Sequence, residues 1–252
     1  MSTRNILRLA GVLIVIGIVG NIVLYVYGES PFNLAAIDEE RTVAAEQVRN
    51  IQIVSGEAEV AITPHAGNDI QIRLTGTAEQ KWADRHQLTA QIVNNQLRIE
   101  ARTDDAFKVF TIHSGTYHLE VLLPGKQYEL LEVQTSVGSI SAEGVAANQS
   151  VFMTSVGNIY ASGITGKVRS ETEVGTIELR FQAITDDVTA ISEVGDITVT
   201  AKEAPASIRT DIRSTIGEET VTLPIRGNGT AVENEPNVKL ASFIGNIALT
   251  LE

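Results

Sequence analysis

Two glutamates, Glu173 and Glu193, stand at the same place in two copies of a short repeated motif. A stacked fold would bring their carboxylates side by side, with Ser136 and Ser155 beyond them. Paired carboxylates are the equipment of glycoside hydrolysis, one acting as acid and the other as base or nucleophile. The surroundings argue against that use. The position should face solvent, nothing in the sequence supplies groups to orient the pair, and the one tryptophan, Trp82, is a thin aromatic supply for a polysaccharide cleft. Of the four histidines, His65, His86, His113 and His118, the last two lie across a presumed hairpin, and neither of these two has an acidic neighbour at metal-ligand spacing. Asp104-Asp105 and Asp186-Asp187 could bind calcium, but no calcium-loop pattern surrounds them, so they read as turn caps. There is no nucleophile elbow, no phosphate-cradling glycine loop and no zinc-protease motif. The chain has no cysteine, which removes disulfides, thiolate ligands and a cysteine nucleophile. These observations predict no catalytic residues, no metal site, no cofactor and no enzyme; the ligand-binding residues stay unassigned.

The element that would position the glutamates is a repeat. The unit Ser/Thr-x-Val/Ile-Gly ends at Gly138, Gly157, Gly175, Gly195, Gly217 and Gly245, in steps of 19, 18, 20, 22 and 28 residues. Five copies place isoleucine two residues after the glycine: Ile140, Ile159, Ile177, Ile197 and Ile247. The Gly217 copy has Glu219 there instead. A period of this length marks stacked repeats. Within a unit the Ser/Thr and the Val/Ile are two apart and should share a face of a strand. From Val137 to Ile140 the gap is odd, yet both are apolar and both are expected in the core. A corner at the glycine reconciles them, because glycine tolerates positive φ. The expected fold is all-β: a β-helix-like solenoid of coils of about 18–22 residues, with the six glycines as structural corners. An antiparallel sandwich with glycine bulges is the competing reading.

Composition agrees with strands. Aromatic residues make up 5% of the 252 positions, so the core must come from Val, Ile, Leu and Ala. Net charge is −12; only Arg4 and Arg8 are charged before residue 28, leaving −14 on the remainder. That excess disfavours nucleic acid as a partner of the body. Residues 1–8 form a short basic head. Residues 9–27 carry no charge and are long enough to cross a bilayer. The two arginines should hold the N-terminus in the cytoplasm, making this a single-pass anchor with the body outside the cell membrane. A cleaved signal peptide is the alternative, but Tyr-Val-Tyr-Gly-Glu is a poor cleavage site.

Residues 28–47 read as a tether, with a possible helix over Ala35 to Val48. Residues 48–134 form a strand-rich lead-in that caps the repeat, and 135–252 form the solenoid, the two making one continuous domain. Within the lead-in, residues 51–62 read as a hairpin turning at Ser55-Gly56-Glu57. Residues 91–99 read as a second hairpin with an Asn94-Asn95 turn. Glu79 to His86 is polar enough for one short helix, and Phe107 to Leu123 reads as a third hairpin. Asn246 to Leu251 is the last strand and is expected at the exposed end of the stack.

The run Leu119-Glu120-Val121-Leu122-Leu123-Pro124, followed by Leu131 to Ile140 with its Thr-Ser-Val-Gly unit, resembles a bacterial family of adhesin candidates. These are β-strand-repeat domains of unknown function, and they include the membrane-anchored Lia-operon protein of envelope stress. The resemblance spans about residues 48–252. It implies a membrane-anchored, envelope-facing solenoid, with no catalytic residues to carry over. The function expected is noncatalytic: a binding or scaffold protein in envelope adhesion or stress response, with an envelope protein or a glycan as partner. A glycan-active enzyme, or an accessory subunit of a membrane signalling complex, is the alternative. The oligomeric state stays open.

Overall fold

The computed structural model describes residues 3–26, 34–79, 86–103, 117–205, 207–223 and 235–252. Helix α1 (Thr3–Val26) contains an apolar stretch, Arg4–Val23, none of which is buried. By length and composition it fits a membrane anchor or a signal sequence. Tyr27, the expected end of the span, lies outside the described residues.

Strands follow in chain order: β1 (Leu34–Ala44), β2 (Asn50–Ser55), β3 (Glu59–His65), β4 (Asp69–Glu79), β5 (His86–Val93), β6 (Gln96–Thr103) and β7 (Tyr117–Pro124). Then come β8 (Tyr128–Val137), β9 (Ile140–Glu143), β10 (Ala146–Val156), β11 (Ile159–Ser162), β12 (Thr165–Val174), β13 (Ile177–Phe181), β14 (Val188–Val194) and β15 (Ile197–Ala201). The last four are β16 (Arg209–Ile216), β17 (Glu219–Val221), β18 (Asn237–Ile244) and β19 (Ile247–Leu251).

They form two facing sheets. One runs β1-β4-β7-β3-β9-β11-β13-β15-β19-β17, the other β16-β18-β14-β12-β10-β8-β2-β6-β5. Each coil contributes a strand to the second sheet, turns a corner, and contributes a strand to the first. The strands of successive coils are parallel. This is the β-solenoid that the repeat predicts. Parallel sheets need both ends of each coil joined by the chain itself, and a winding of about twenty residues supplies that join.

Eight coils stack among the described residues, and their order in space is not their order in sequence. At one end the coil β6/β7 lies below β2/β3. At the other end β18/β19 sits directly on β14/β15, and β16/β17 is added outside it. The chain therefore leaves the stack after β15, builds the terminal coil, and returns to fill the space between. The expectation that Asn246 to Leu251 forms the exposed end is corrected: β19 is paired on both sides, and the terminal coil is β16/β17.

Antiparallel strands close the first end. β5 pairs with β6, β4 with β7, and β1 with β4. The hairpin through Asn94 and Asn95 forms as expected, both residues taking positive φ (52° and 65°), which asparagine tolerates better than most. Two other local readings fail. Residues 34–44 are strand β1, not a helix; Ile37 is buried and the strand pairs along its whole length with β4. Residues 51–62 are not a hairpin, because β2 and β3 lie in different sheets and each pairs in parallel with its neighbours. Ser55-Gly56-Glu57-Ala58 is instead a coil corner. The short helix expected at 79–86 and the turn of the third hairpin fall largely outside the described residues.

The core is a column of inward residues to which both strands of a coil contribute alternate positions. Ile51 and Ile53 face Val60 and Ile62; Val188 and Ala190 face Ile197 and Val199; all are essentially inaccessible. Burial of this kind contributes about 25 cal/mol per Å² of apolar surface. Phe152 is fully buried, and Ser170 lies beside it in register on β12. A small residue next to a large one keeps the column filled. The Ser170 hydroxyl itself finds no hydrogen-bond partner among the described residues. Stranding such a group costs about 1–3 kcal/mol. Ser170→Ala is therefore expected to raise the stability by about 1 kcal/mol, read as a higher midpoint of thermal unfolding. An unchanged or lower midpoint would show that the hydroxyl is satisfied.

Candidate functional site

The repeated corner is the structure's main local device, and it is built from three kinds of hydrogen bond. The first is a hydroxyl ladder. Thr154 Oγ1 donates to the Gly138 carbonyl at 3.0 Å, Thr172 to Gly157 at 3.0 Å, Ser192 to Gly175 at 3.0 Å, Ser242 to Gly195 at 3.0 Å and Ser214 to Gly245 at 2.8 Å. The second runs the other way, the N–H of every corner glycine but Gly217 donating to the Val/Ile carbonyl of the next coil: Gly157 to Val174 at 2.9 Å, Gly195 to Ile244 at 2.8 Å. The third uses the residue after the glycine. Asn158 accepts from the Thr176 N–H at 2.8 Å, Asp196 from Asn246 at 2.6 Å and Asn246 from Glu218 at 2.9 Å. A buried corner would otherwise strand its backbone groups. These bonds leave the rungs satisfied from coil to coil.

Glycine is required by the stacking as well as by φ. The six corner glycines have φ between 142° and 156°. A Cβ on Gly157 would lie 2.1 Å from the Gly138 carbonyl oxygen, one on Gly175 1.9 Å from Gly157, and one on Gly195 2.0 Å from Gly175. Gly245 rests on Gly195, and Gly217 on Gly245, both at 2.1 Å. The glycines thus form a single column, ordered 138, 157, 175, 195, 245, 217.

The Val/Ile of the unit does not enter the core, contrary to expectation. Val137, Val156, Val174, Val194, Ile244 and Ile216 are between 42% and 59% exposed. The Ser/Thr points inward to make the ladder, and the next two residues turn outside before the chain re-enters at Ile140 and its equivalents. That two-residue excursion resolves the odd spacing. In register along the rod, the six side chains make an apolar ridge at the corner, and Phe243, 57% exposed, adjoins it.

Beside the ridge run the second residues of the unit. Glu173 and Glu193 lie on adjacent strands in register, as the repeat predicts, and both are exposed. The Ser155 hydroxyl donates to Glu173 at 3.3 Å. The two line a shallow depression of about 320 Å³ with Met153, Glu171 and Ile191. No basic or histidine side chain lines it to set one carboxylate apart from the other, which an acid/base pair needs. Asp187 is bound by structural partners. The Asn237 N–H, donating at 3.0 Å, and Lys167, at 3.1 Å, hold its carboxyl below the ordinary carboxylate range. Together with Asp196 it fastens the returning β18/β19 coil onto β14/β15. Asp186 accepts from Thr185 at 2.9 Å, a turn bond. His118 pairs with Glu59 at 2.9 Å on the exposed sheet face, and His65 contacts the Asp69 carbonyl at 2.7 Å. His113, Trp82, Asp104 and Asp105 lie outside the described residues. No group of three or more metal-ligating side chains occurs among the described residues.

A second depression, of about 280 Å³, lies on the outer face of the other sheet around Tyr160. Tyr160 belongs to no sequence motif. The signal was in the repeat all the same: the position after the core isoleucine holds Ser141, Glu178, Thr198 and Ala248 in the other coils, and only here an aromatic ring.

A rod of parallel coils with glycine corners defines a class of repeat protein, and the sequence places the chain within it. The Toastrack DUF4097 family model matches residues 48–170 and again 131–249, and the chain belongs to that family. No curated protein sequence matches it. Among solved structures, a cell adhesion protein candidate from Clostridium sporogenes is similar at 13% identity and a TM-score of 0.49, over 86% of this chain and 100% of that one. An adhesin candidate from Bacteroides fragilis is similar at 16% identity and a TM-score of 0.43, over 85% and 97%. A lipid binding protein candidate from Parabacteroides distasonis follows at 12% and 0.30, over 85% and 96%. The likeness to the Lia-operon protein finds no support among them.

Proposed function

We propose that this chain is a noncatalytic binding and scaffold protein of the bacterial cell envelope. Helix α1 anchors it with the N-terminus in the cytoplasm, and the solenoid stands outside the membrane. The apolar ridge from Val137 to Ile216 carries this reading. Six half-exposed β-branched side chains in register are more than scattered surface residues, and contiguous apolar surface marks interaction sites. The corner glycines serve the rod's shape, and the sheets beside the ridge run to ten and nine strands.

The test is recovery of partners from intact membranes with the full chain and with Val174→Asp/Val194→Asp, which charges the ridge at solvent-exposed positions. An envelope protein that co-purifies with the first and is lost with the second is the expected result. Turnover of peptidoglycan that disappears in Glu173→Gln or Glu193→Gln would overturn the noncatalytic reading.

A further inference from the structure

We propose that the outer face of the β9-β11-β13 sheet binds an uncharged, β-linked polysaccharide, with Tyr160 as the stacking platform. The proposal rests on the binding-protein reading above and gives it a ligand class. The outward residues here fall into two rows that cross the strands along the rod axis. In one, Tyr160 stands between Ser141 and Glu178; in the other, Ser162 stands between Glu143 and Arg180. Tyr160 is 40% exposed and lines the depression with the other five. At about 280 Å³ the depression has room for a pyranose ring.

The chemistry of the lining selects the ligand. An aromatic ring offers an apolar face to the C–H face of a sugar and costs little conformational entropy to hold. Around it stand acceptors (Glu143 and Glu178), hydroxyls that both donate and accept (Ser141 and Ser162), and a guanidinium with five donors. Arg180 Nε donates to Glu178 at 2.7 Å, which fixes both side chains beside the ring. That is the mixture an equatorial array of hydroxyls needs: one apolar platform and a few placed polar groups. The rows continue as Thr198, Ala248 and Thr220, and as Thr200, Thr250 and Thr222. Small side chains, hydroxylated except at Ala248, leave a low lane beyond β13 along which a chain could extend. Strands lie about 4.8 Å apart, close to the rise of one sugar in an extended β-linked polymer, so successive rings would meet successive coils. The two carboxylates at the site and the charge of −14 on the body oppose a polyanion.

The test is affinity electrophoresis of the full chain in detergent, in gels containing hydroxyethylcellulose, a soluble chitin derivative without free amines, or polygalacturonate. Retardation is expected in one or both neutral polymers and absent in the anionic one. Tyr160→Ala should weaken retardation at least tenfold, Tyr160→Phe should retain it, and Ile92→Ala, at an exposed position of β5 on the other sheet, should leave it unchanged. Arg180→Lys, which keeps the charge and loses the planar fork, should weaken it several-fold. No retardation in either neutral polymer, equal retardation of the Tyr160→Ala variant, or retardation by polygalacturonate alone would overturn the proposal. Recovery of a protein partner from membranes equally by the unmodified chain and by Tyr160→Ala, with no glycan retardation, would leave the scaffold reading standing and remove the saccharide. Failure of both assays would remove both.

Discussion

Gly175→Ala is expected to abolish folding of the solenoid, or to cost well over 3 kcal/mol where folding survives. Two penalties combine. The φ of 155° is strained for any residue with a side chain, and the new Cβ would lie 1.9 Å from the Gly157 carbonyl oxygen. The obstacle is backbone, not a flexible side chain, so no rotamer change relieves it. The coil is also held on both sides, β12 by β10 and β14, and β13 by β11 and β15. Relief would require prising two coils apart, breaking rungs whose bonds are 2.9–3.0 Å long. Thr172→Val is the measure of scale: it removes one hydroxyl bond and should cost about 1 kcal/mol. Gly217→Ala meets an equivalent clash with Gly245, but on the terminal coil, which can move outward; its cost should be smaller than that of Gly175→Ala. Thermal unfolding of the three variants, followed by circular dichroism, gives the ranking. Equal effects at Gly175 and Thr172 would show that the column of glycines is not what fixes the corner.

The next largest expected effect is on association. Glu219→Ile should make the chain self-associate at least tenfold more tightly than the unmodified protein, measured by sedimentation in detergent across a concentration series. Glu219 stands where every other copy of the motif has an isoleucine, and in register it lies beside Ile247. It belongs to the terminal coil, whose β16 has a strand neighbour on one side only among the described residues. Its carboxylate turns back to accept from the Ser214 N–H at 2.6 Å, so a backbone donor of that strand is taken by a side chain instead of by another strand. A charge at the edge of a sheet is a standard guard against edge-to-edge pairing. Isoleucine would withdraw both protections and present an apolar end. An unchanged sedimentation profile would mean that the end is shielded by something other than Glu219.

The corner column was legible because the motif is local: each glycine answers to its own neighbours, and the period of about twenty repeats it. The order of the coils was not legible in the same way. The Gly195, Gly217 and Gly245 copies carry the same unit, and any of them could follow another in space. What separates them is peripheral. Glu219 marks the coil that has no successor, and Asp187 and Asp196 supply the acceptors that receive Asn237 and Asn246. The first two coils escaped notice for different reasons. Ser55-Gly56-Glu57-Ala58 has alanine in the corner place and no positive φ, and β6 ends at Thr103 while β7 begins at Tyr117, too far apart in sequence for the corner unit. The Val/Ile of the unit was placed inside because apolar residues usually are; the hydroxyl ladder claims the inward position at the corner, and the chain turns outward for two residues. Tyr160 is legible only as an aromatic outlier at one position of the repeat, because a lone tyrosine among alternating strand residues carries no motif of its own.

The splice of the final coil can be read directly, since the chain has no cysteine of its own. Glu193→Cys/Phe243→Cys places thiols on β14 and β18, neighbouring strands in register, and Glu193→Cys/Thr215→Cys places them on β14 and β16, which β18 separates. Under mild oxidation the first pair should form an intramolecular disulfide and the second should not. A disulfide in the second pair and none in the first would mean that the coils stack in the order of the sequence, and the rod described above would be wrong.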